Sequence, residues 1–245
     1  MSGRVAFPKH EDSGVLGPGV RTFKPRRSRV TARQARAMTD QSHLLLSLGD
    51  RPLEFETIWG ADRPIIMEIG FGNGDATAVM AAAEPDVGVL AVDIHTPGVG
   101  DLLARLGDSG LSNVRVIEAD ALTVLARMVA PGSLAGVRSY FPDPWPKARH
   151  HKRRLVQPDV LDLVRTRLVP GGSWHLATDW DAYRTAITRE FAEDPHWHGG
   201  CVERPPWRPE TRYEGKALAD GRVITDLVYR TGDPAPARLP GRGGR

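Results

Sequence analysis

Short apolar runs alternate with amphipathic helical patterns over most of the chain after Pro64. The runs predict six strands, at residues 65–69, 87–92, 114–117, 134–140, 174–177 and 223–229. Between the fourth and fifth runs, apolar residues from Val160 to Leu168 recur at helical spacing, and Pro170-Gly171-Gly172 ends that pattern. Strands that alternate with helices are joined by right-handed crossovers. The pattern therefore predicts a doubly wound, mostly parallel α/β sheet that helices cover on both faces.

Upstream of this region, the pattern predicts one helix, which Thr31 caps and which continues to Leu46, before Gly49 and Pro52. Residues 1–30 are rich in Gly, Pro and Arg and have no sustained apolar period, which predicts a flexible basic arm. Residues 232–245 also lack an apolar pattern and are predicted to be disordered. The predicted organisation is a single domain over residues 31–231, between an arm and a tail.

The distribution of charge is more informative than its total. The 245 residues carry 33 Lys and Arg against 30 Asp and Glu, for a formal net charge of +3. The cations cluster, first from Arg21 to Arg36 with no acid between them, and again in the run FPDPWPKARHHKRR from Phe141 to Arg154. Clustered Lys and Arg neutralise phosphates and give sequence-independent affinity for nucleic acid. We therefore expect an RNA or DNA partner.

The cysteine count and the hydropathy indicate the cellular compartment in which we expect the protein. The single Cys201 excludes an intrachain disulfide, no apolar stretch approaches the roughly 20 residues that span a bilayer, and the N-terminus lacks the apolar core of a secretory signal. We expect a soluble, cytoplasmic protein without membrane contact or an obligate protein partner, and either a monomer or a homodimer. Adjacent His150 and His151 point apart and have no partner at ligand spacing, so no metal site is predicted.

A glycine-rich turn directly follows the first predicted strand. In EIGFGNGD, Glu68 ends the strand, and Gly70, Gly72 and Gly74 recur at every second position. Glycine allows the backbone to turn tightly and approach a ligand, and the next helix offers free amide groups. The spacing differs from the G-x-G-x-x-G dinucleotide fingerprint. Taken alone, the turn leaves a purely structural role open.

Acids also follow the second and third predicted strands. Asp93 ends the second strand, where a carboxylate can accept both hydroxyls of a ribose, and Asp120 follows the third, where an adenine amino group can donate to it. Open α/β sheets bind ligands at the carboxyl ends of their strands. Together with Glu68, these two acids favour the interpretation of the glycine-rich turn as part of a ligand site over a purely structural role.

The run from Phe141 to Arg154 places one acid, Asp143, in a proline-stiffened loop directly before a basic block. Each of the three prolines fixes its own φ and pushes the preceding residue toward extended geometry, so Asp143 and Trp145 are expected to project from a rigid loop. Trp145 can stack on a base or pack against the core, and packing is favoured. An acid beside cations suggests chemistry on a polyanion.

Together these segments resemble a class I S-adenosylmethionine-dependent methyltransferase, and four motifs narrow the resemblance to the bacterial tRNA (guanine-N7-)-methyltransferase family. The motifs are EIGFGNGD, PDPWPK with its RHHKRRL continuation, ATD ending at Asp179, and TRYE ending at Glu214. The resemblance spans about residues 21–230. It implies a seven-stranded Rossmann-like sheet with one antiparallel strand, and S-adenosylmethionine-dependent formation of 7-methylguanosine at position 46 in the variable loop of tRNA.

The resemblance also implies roles for individual residues. The cofactor-binding positions correspond to Glu68, Gly70, Gly72, Gly74, Asp93, Asp120 and Asp143. The substrate-binding positions correspond to Lys147, Asp179, Thr211, Arg212, Tyr213 and Glu214. The basic residues expected to bind RNA are Arg149, Lys152, Arg153 and Arg154. Two positions depart from the family pattern: Asp93 replaces a more usual glutamate, and Gly215-Lys216 replaces an ending of the arginine-glycine type.

Guanine N7 has an in-plane lone pair and attacks a sulfonium methyl group without first losing a proton, so no strong general base is required. Positive charge develops on the purine, and fixed carboxylates can offset it and orient the ring. We assign this catalytic role mainly to Asp143, with Asp179 and Glu214 as orienting groups. The alternatives are a methyltransferase for another RNA, a protein or a small molecule, and a nucleotide-binding module without catalysis.

Overall fold

The computed structural model describes residues 14–17, 19–24 and 29–232. Within them, one sheet contains seven strands: β1 Ile65–Ile69, β2 Gly88–Asp93, β3 Val114–Glu118, β4 Leu134–Tyr140, β5 Leu168–Thr178, β6 Trp197–Val202 and β7 Thr225–Thr231. The α-helices are α1 Ala32–Asp40, α2 Phe55–Trp59, α3 Asp75–Ala83, α4 Thr96–Ser109, α5 Ala121–Met128, α6 Pro158–Arg167, α7 Asp181–Glu193 and α8 Arg212–Ala219. Two 3₁₀ turns cover Ser42–Leu44 and Ala148–Arg153.

The strand order is β3-β2-β1-β4-β5-β7-β6, and β7 runs antiparallel to both of its neighbours. All other pairings are parallel. The predicted doubly wound α/β sheet, with seven strands of which one is antiparallel, is therefore confirmed. After β3 the chain returns to the far side of β1, so the strand order reverses between β1 and β4. Such a reversal opens a crevice at the carboxyl ends of the strands.

Helices cover both faces of the sheet, as the side chains of β2 show. Leu90 and Val92 belong to the larger core cluster, with residues of α5 and α6, whereas Val89 and Ala91 belong to the smaller cluster, with residues of α1 and α4. Alternate residues of a strand point to opposite faces, so an apolar run with no polar position requires burial on both sides. Each fully buried Val or Leu contributes about 1.5–3 kcal/mol relative to exposure.

An aromatic cluster stabilises the antiparallel end of the sheet. Trp174 is fully buried, and its ring meets the edge of Phe191 at a centroid distance of 5.7 Å. Phe191 stacks on Tyr229 at 3.7 Å, and Trp197 packs against Phe191 at 5.2 Å. The prediction that Trp174 lies in the core is confirmed. Strand β6, which begins at Trp197, was not predicted, because only one of its residues is buried.

Several element boundaries differ from the predictions. Helix α1 has the predicted Thr31 cap but ends at Asp40, because Leu44 is buried and Leu45 pairs with Val116 as an extended residue. Strand β5 begins at Leu168 and includes the Pro-Gly-Gly segment that was predicted as a helix stop.

In the region predicted as a flexible arm, Val15 and Leu16 pack against the larger core cluster. Residues 1–13, 18 and 25–28 of that arm, and residues 233–245 of the predicted tail, lie outside the described residues. Within the described ranges, no helix combines the length and the apolar character that crossing a bilayer would require.

Candidate active site

A cavity of about 460 Å³ opens at the carboxyl ends of the central strands. Glu68 of β1, Asp93 of β2 and the loop after β4 line it, as do residues after β5 and the first turn of α8. This is the crevice at which the strand order reverses. The topology thus brings together residues as far apart in the chain as Thr22 and Arg222.

The glycine turn after β1 forms one wall of the cavity. Gly70 and Gly72 have φ values of 76° and 65°, a left-handed conformation that favours glycine. Gly98 of α4 faces this turn, and a β-carbon on it would lie 2.0 Å from the carbonyl oxygen of Gly72. Only glycine therefore allows α4 to approach the turn this closely.

Asp93 is held in place by backbone amides. The amide of Gly72 donates to its Oδ2 at 2.8 Å, and the amide of His95 donates to its Oδ1 at 2.9 Å. Burial raises the pKa of Asp93 above its ordinary value, although these amide hydrogen bonds oppose the rise. Asp93 lines the cavity, and carboxylate oxygens can accept more than one hydrogen bond each, so a ligand can also donate to it.

Glu68 is an acid with unused acceptor capacity. Its side chain lines the cavity, the residue is only 3% exposed, and Oε2 has no hydrogen-bond partner among the described residues. Burial raises the pKa of Glu68 to about 7, although the charge of Arg138 opposes the rise. A buried acceptor without a donor is costly, so this position fits a ligand that supplies a cation or an N–H group.

The proline-rich loop after β4 places Asp143 on the same cavity as Glu68 and Asp93. Its backbone differs from the extended form predicted, because Phe141 and Trp145 have φ values of 52° and 45°. Such conformations in residues other than glycine cost about 1–3 kcal/mol each and are held by surrounding contacts. For Trp145 the contacts are a hydrogen bond from Nε1 to the Thr22 carbonyl at 3.1 Å and the Arg153 guanidinium, 3.7 Å from the ring centre.

Arg153 also binds the N-terminal segment of residues 21–24. Its Nε and Nη2 donate to the carbonyls of Arg21 and Phe23 at 2.9 and 2.7 Å. Thr22 and Phe23 line the cavity. Part of the predicted basic arm therefore contributes its backbone and an aromatic ring to the site.

The motifs after β5 and in α8 that were predicted to bind the substrate contact the cavity at several points. Asp179 and Thr211 line it, and Arg222 forms an ion pair with Asp179. Tyr213 also lines it, and a β-carbon on Gly72 would lie 3.6 Å from Cε2 of the tyrosine ring. Helix α8 therefore extends toward the glycine turn.

The cavity brings together most, but not all, of the residues predicted to bind the cofactor or the substrate. The residues that line it are Glu68, Gly70, Gly72, Asp93, Asp143, Asp179, Thr211 and Tyr213. Those that do not are Gly74, Asp120, Lys147 and Glu214. Of Arg212 only the backbone is described, as the first residue of α8.

Each of these four residues lies outside the cavity lining. Gly74 is the left-handed N-cap of α3, and Asp120 is the buried N-cap of α5, where it accepts from the Leu122 amide at 3.1 Å. Lys147 is exposed before the second 3₁₀ turn. Glu214 is 2% exposed, caps α8 with Thr211 and pairs with Arg208.

The basic block after Lys147 divides into exposed and internal cations. Arg149 and Lys152 are exposed, whereas Arg153 is half-buried against residues 21–24. Arg154 is buried, donates from Nε to the Pro144 carbonyl at 3.0 Å and lies 5.0 Å from the Tyr183 ring centre. The exposed members therefore flank the loop that presents Asp143, and the internal members hold that loop and the arm.

Sequence reasoning missed other residues that line the cavity, including Trp180, Lys216 and Arg222. Trp180 directly follows the ATD motif, so its position was a usable signal. Arg222 lies outside every motif and reaches the site through the turn after α8, which no sequence pattern indicates.

Comparisons with known proteins show which proteins this chain resembles. The sequence profile of the family described as "Putative methyltransferase" matches residues 62–227. The tRNA (guanine-N(7)-)-methyltransferase of Streptomyces coelicolor is 49% identical over 218 residues, which cover 86% of this chain and 80% of that protein. The enzyme of the same name from Bordetella pertussis is 41% identical over 230 residues, covering 92% of this chain and 91% of its own length.

Among solved structures, the 16S rRNA methyltransferase KamB superposes with a TM-score of 0.52 at 18% identity, covering 75% of this chain and 93% of that chain. A likeness at this identity concerns the fold, which the two proteins share.

Proposed function

Because this chain belongs to the tRNA (guanine-N(7)-)-methyltransferase family, we propose that it methylates N7 of guanosine 46 in the variable loop of tRNA, with S-adenosylmethionine as the methyl donor. The observation that most supports this proposal is the shared cavity. Glu68 and Asp93 line it together with Asp143 and Asp179, so the residues predicted for the donor and for the base face the same space.

The residues present fit S-adenosylmethionine. Oε2 of Glu68 is buried and has no hydrogen-bond partner in the described part of the chain; it would accept from the amino group of the cofactor, which would offset the cost of a buried acceptor. Asp93, already oriented by two amides, would accept from the ribose hydroxyls. The glycine turn leaves room for the backbone to approach the cofactor. When bound, S-adenosylmethionine supplies a methyl group on a cationic sulfonium.

Asp143 is proposed as the catalytic residue. It lies on the cavity at the end of β4, in a loop that Trp145 and Arg154 fix through hydrogen bonds. Guanine gains positive charge as N7 is alkylated, and a prepositioned carboxylate stabilises that charge without reorganisation. Because the N7 lone pair needs no deprotonation, Asp143 acts through its charge and by holding the base.

The guanine is proposed to lie between the glycine turn and α8. Asp179 can accept from the N1 and N2 hydrogens of guanine, and its ion pair with Arg222 fixes its orientation. Tyr213 is 51% exposed at the cavity, so its ring is available for stacking on a base. Both oxygens of Glu214 bind Arg208, so we assign Glu214 to holding α8 and, through it, to orienting the base indirectly.

The exposed cations after Asp143 are proposed to bind tRNA phosphates. Arg149 and Lys152 are exposed in the 3₁₀ turn that follows the Asp143 loop, and Lys147 precedes them. Phosphate contacts position a nucleic acid without reading its bases. This surface would therefore set where the tRNA lies, and the cavity would select the guanine. Because tRNA is the proposed substrate, we also propose that the enzyme works in the cytoplasm.

The test is methyl transfer to defined tRNA transcripts. Labelled S-adenosylmethionine is incubated with an unmodified transcript, and the product nucleoside and its position are mapped by mass spectrometry. The matched control transcript carries 7-deazaguanosine at position 46, which has the same shape but lacks N7. We expect 7-methylguanosine at position 46 in the first transcript and no label in the second. Equal labelling of both, or label only in other acceptors, would refute the proposal.

Asp143 is tested in the same assay. Asp143→Ala should lower the single-turnover rate by about 100-fold, the loss seen when one preorganised electrostatic contact is removed, and should leave tRNA affinity within twofold. Asp162→Ala, which removes an exposed acid on α6, is the matched control and should behave as wild type. An unchanged single-turnover rate in Asp143→Ala would reject the catalytic role.

A further inference from the structure

A buried cation lies behind helix α8, outside every predicted motif. The side chain of Arg208 has an exposed fraction of 0%, although the adjacent Trp207 is 41% exposed. Removing a charged group from water costs several kcal/mol unless nearby charges and hydrogen bonds compensate. The surroundings of Arg208 must therefore be built to hold it.

Two carboxylates from different elements hold the guanidinium. Its Nη1 and Nη2 donate to Oε2 and Oε1 of Glu214 at 2.6 and 3.2 Å. Its Nε and Nη2 donate to Oδ1 and Oδ2 of Asp226 at 2.6 and 2.8 Å. Burial alone would lower the pKa of Arg208, but the hydrogen bonds and the negative charges of the two carboxylates together raise it. Only the planar fork of arginine can bind two carboxylates in this bidentate manner.

One of these contacts fixes the first turn of α8. Glu214 is the third helical residue, and its amide donates to Oγ1 of Thr211 at 3.1 Å, so the two residues form a capping box. Arg208 binds the same carboxylate. The position of Arg208 therefore sets where Thr211 and Tyr213 lie, and both of these line the cavity.

The other contact ties that turn to strand β7, which lies between β5 and the edge strand β6. Asp226 of β7 lies opposite Ala177 of β5 and also accepts a hydrogen bond from Nε2 of His175 at 2.8 Å. Nδ1 of His175 is 3.1 Å from the hydroxyl of Tyr140, which lines the cavity. A continuous series of contacts therefore runs from the cavity wall at Tyr140, through Arg208, to α8.

We propose that Arg208 is a positioning residue for the tRNA substrate. It joins α8 to β7 so that Thr211 and Tyr213 face the glycine turn at the distance a guanine requires. Arg208 lies outside the cavity and acts through Glu214. This inference rests on the proposed function for the identity of the substrate, but the joining of α8 to β7 can be measured without tRNA.

The test variant is Arg208→Lys, which keeps the charge and loses the fork. Its matched control is Arg204→Lys, because Arg204 binds the same Glu214 oxygen at 3.0 Å but is 46% exposed, and exposed pairs contribute little. We expect Arg208→Lys to raise KM for tRNA by about 10- to 100-fold, the effect of displacing a contact by about 1 Å. The Kd for S-adenosylmethionine, measured by calorimetry, should stay within twofold, and Arg204→Lys should match wild type in both quantities.

Hydrogen exchange of the cofactor-free protein provides the second readout. Amides of residues 212–219 should exchange faster in Arg208→Lys than in wild type or Arg204→Lys, while β1 and β4 stay unchanged. Glu214→Gln, which weakens the same link from the other side, should shift exchange in the same direction.

Three results would overturn the proposal: wild-type KM together with wild-type exchange, equal weakening of cofactor and tRNA binding, or loss of the fold in both Arg208→Lys and Glu214→Gln by circular dichroism. The proposed function fails separately, if the wild-type enzyme does not methylate guanine N7 in tRNA.

Discussion

Replacing Glu68 by Gln should make the cofactor-free protein more stable at neutral and alkaline pH while weakening cofactor binding. Burial raises the pKa of Glu68 from an ordinary 4.5 to about 7. Between these values the folded protein keeps a proton on Glu68 that the unfolded chain has released, so the free energy of unfolding falls as pH rises. At 1.36 kcal/mol per pH unit, the full cost of the ionised side chain is about 3 kcal/mol above pH 7.

The assay is urea unfolding of wild-type protein and the Glu68→Gln variant, without cofactor, at pH 5, 6, 7 and 8. The difference in unfolding free energy should move in favour of the variant by about 2–3 kcal/mol from pH 5 to pH 8. Glu193→Gln, at an exposed position of α7, is the matched control and should show no such trend. Saturating S-adenosylmethionine should stabilise wild type more than Glu68→Gln. Parallel pH profiles for wild type and Glu68→Gln would refute the reasoning.

Three further perturbations test the remaining parts of the site. Asp93→Ala leaves the amides of Gly72 and His95 without their acceptor, at about 1–3 kcal/mol each, so calorimetry should show cofactor affinity at least about tenfold weaker; an unchanged Kd contradicts this. The double change Arg149→Gln with Lys152→Gln should reduce the slope of log K for tRNA against log salt by about 2 in filter binding, and an unchanged slope would mean that neither contacts phosphate. Trp145→Ala removes the hydrogen bond to Thr22 and the ring beneath Arg153, so trypsin should cut after Arg21 faster than in wild type; equal cutting rates would argue against this anchoring.

The central strands could be predicted from the sequence because their burial is two-sided and local. The runs at β1 and β4 match the observed bounds, and β2 and β3 differ by a residue at one or both ends. Strand β6 was not predicted, because Gly199 and Gly200 interrupt its apolar pattern and because its pairing with β7 is a long-range contact. The end of α1 was also misplaced, since the burial of Leu44 and the pairing of Leu45 with Val116 override local helix propensity.

The motifs identified acids that line the site, but they did not indicate which groups the other motif residues contact. Glu68, Asp93 and Asp143 were all expected on one ligand pocket, and all line the cavity. The same motifs do not show that Glu214 faces Arg208 or that Arg154 is buried, because motif residues also cap helices and hold loops. Those contacts depend on groups distant in the chain.

The sequence by itself determined the α/β class, the family, the cofactor and three acids that line the pocket, Glu68, Asp93 and Asp143, because each follows from local periodicity or from a short motif. The tertiary structure decided which cations are exposed, which acids are free to meet a ligand and which segments close the cavity. Arg153, Arg208 and Arg222 show why: a guanidinium has the same local chemistry wherever it stands, and only the folded chain brings to it the carbonyl or carboxylate that determines its role.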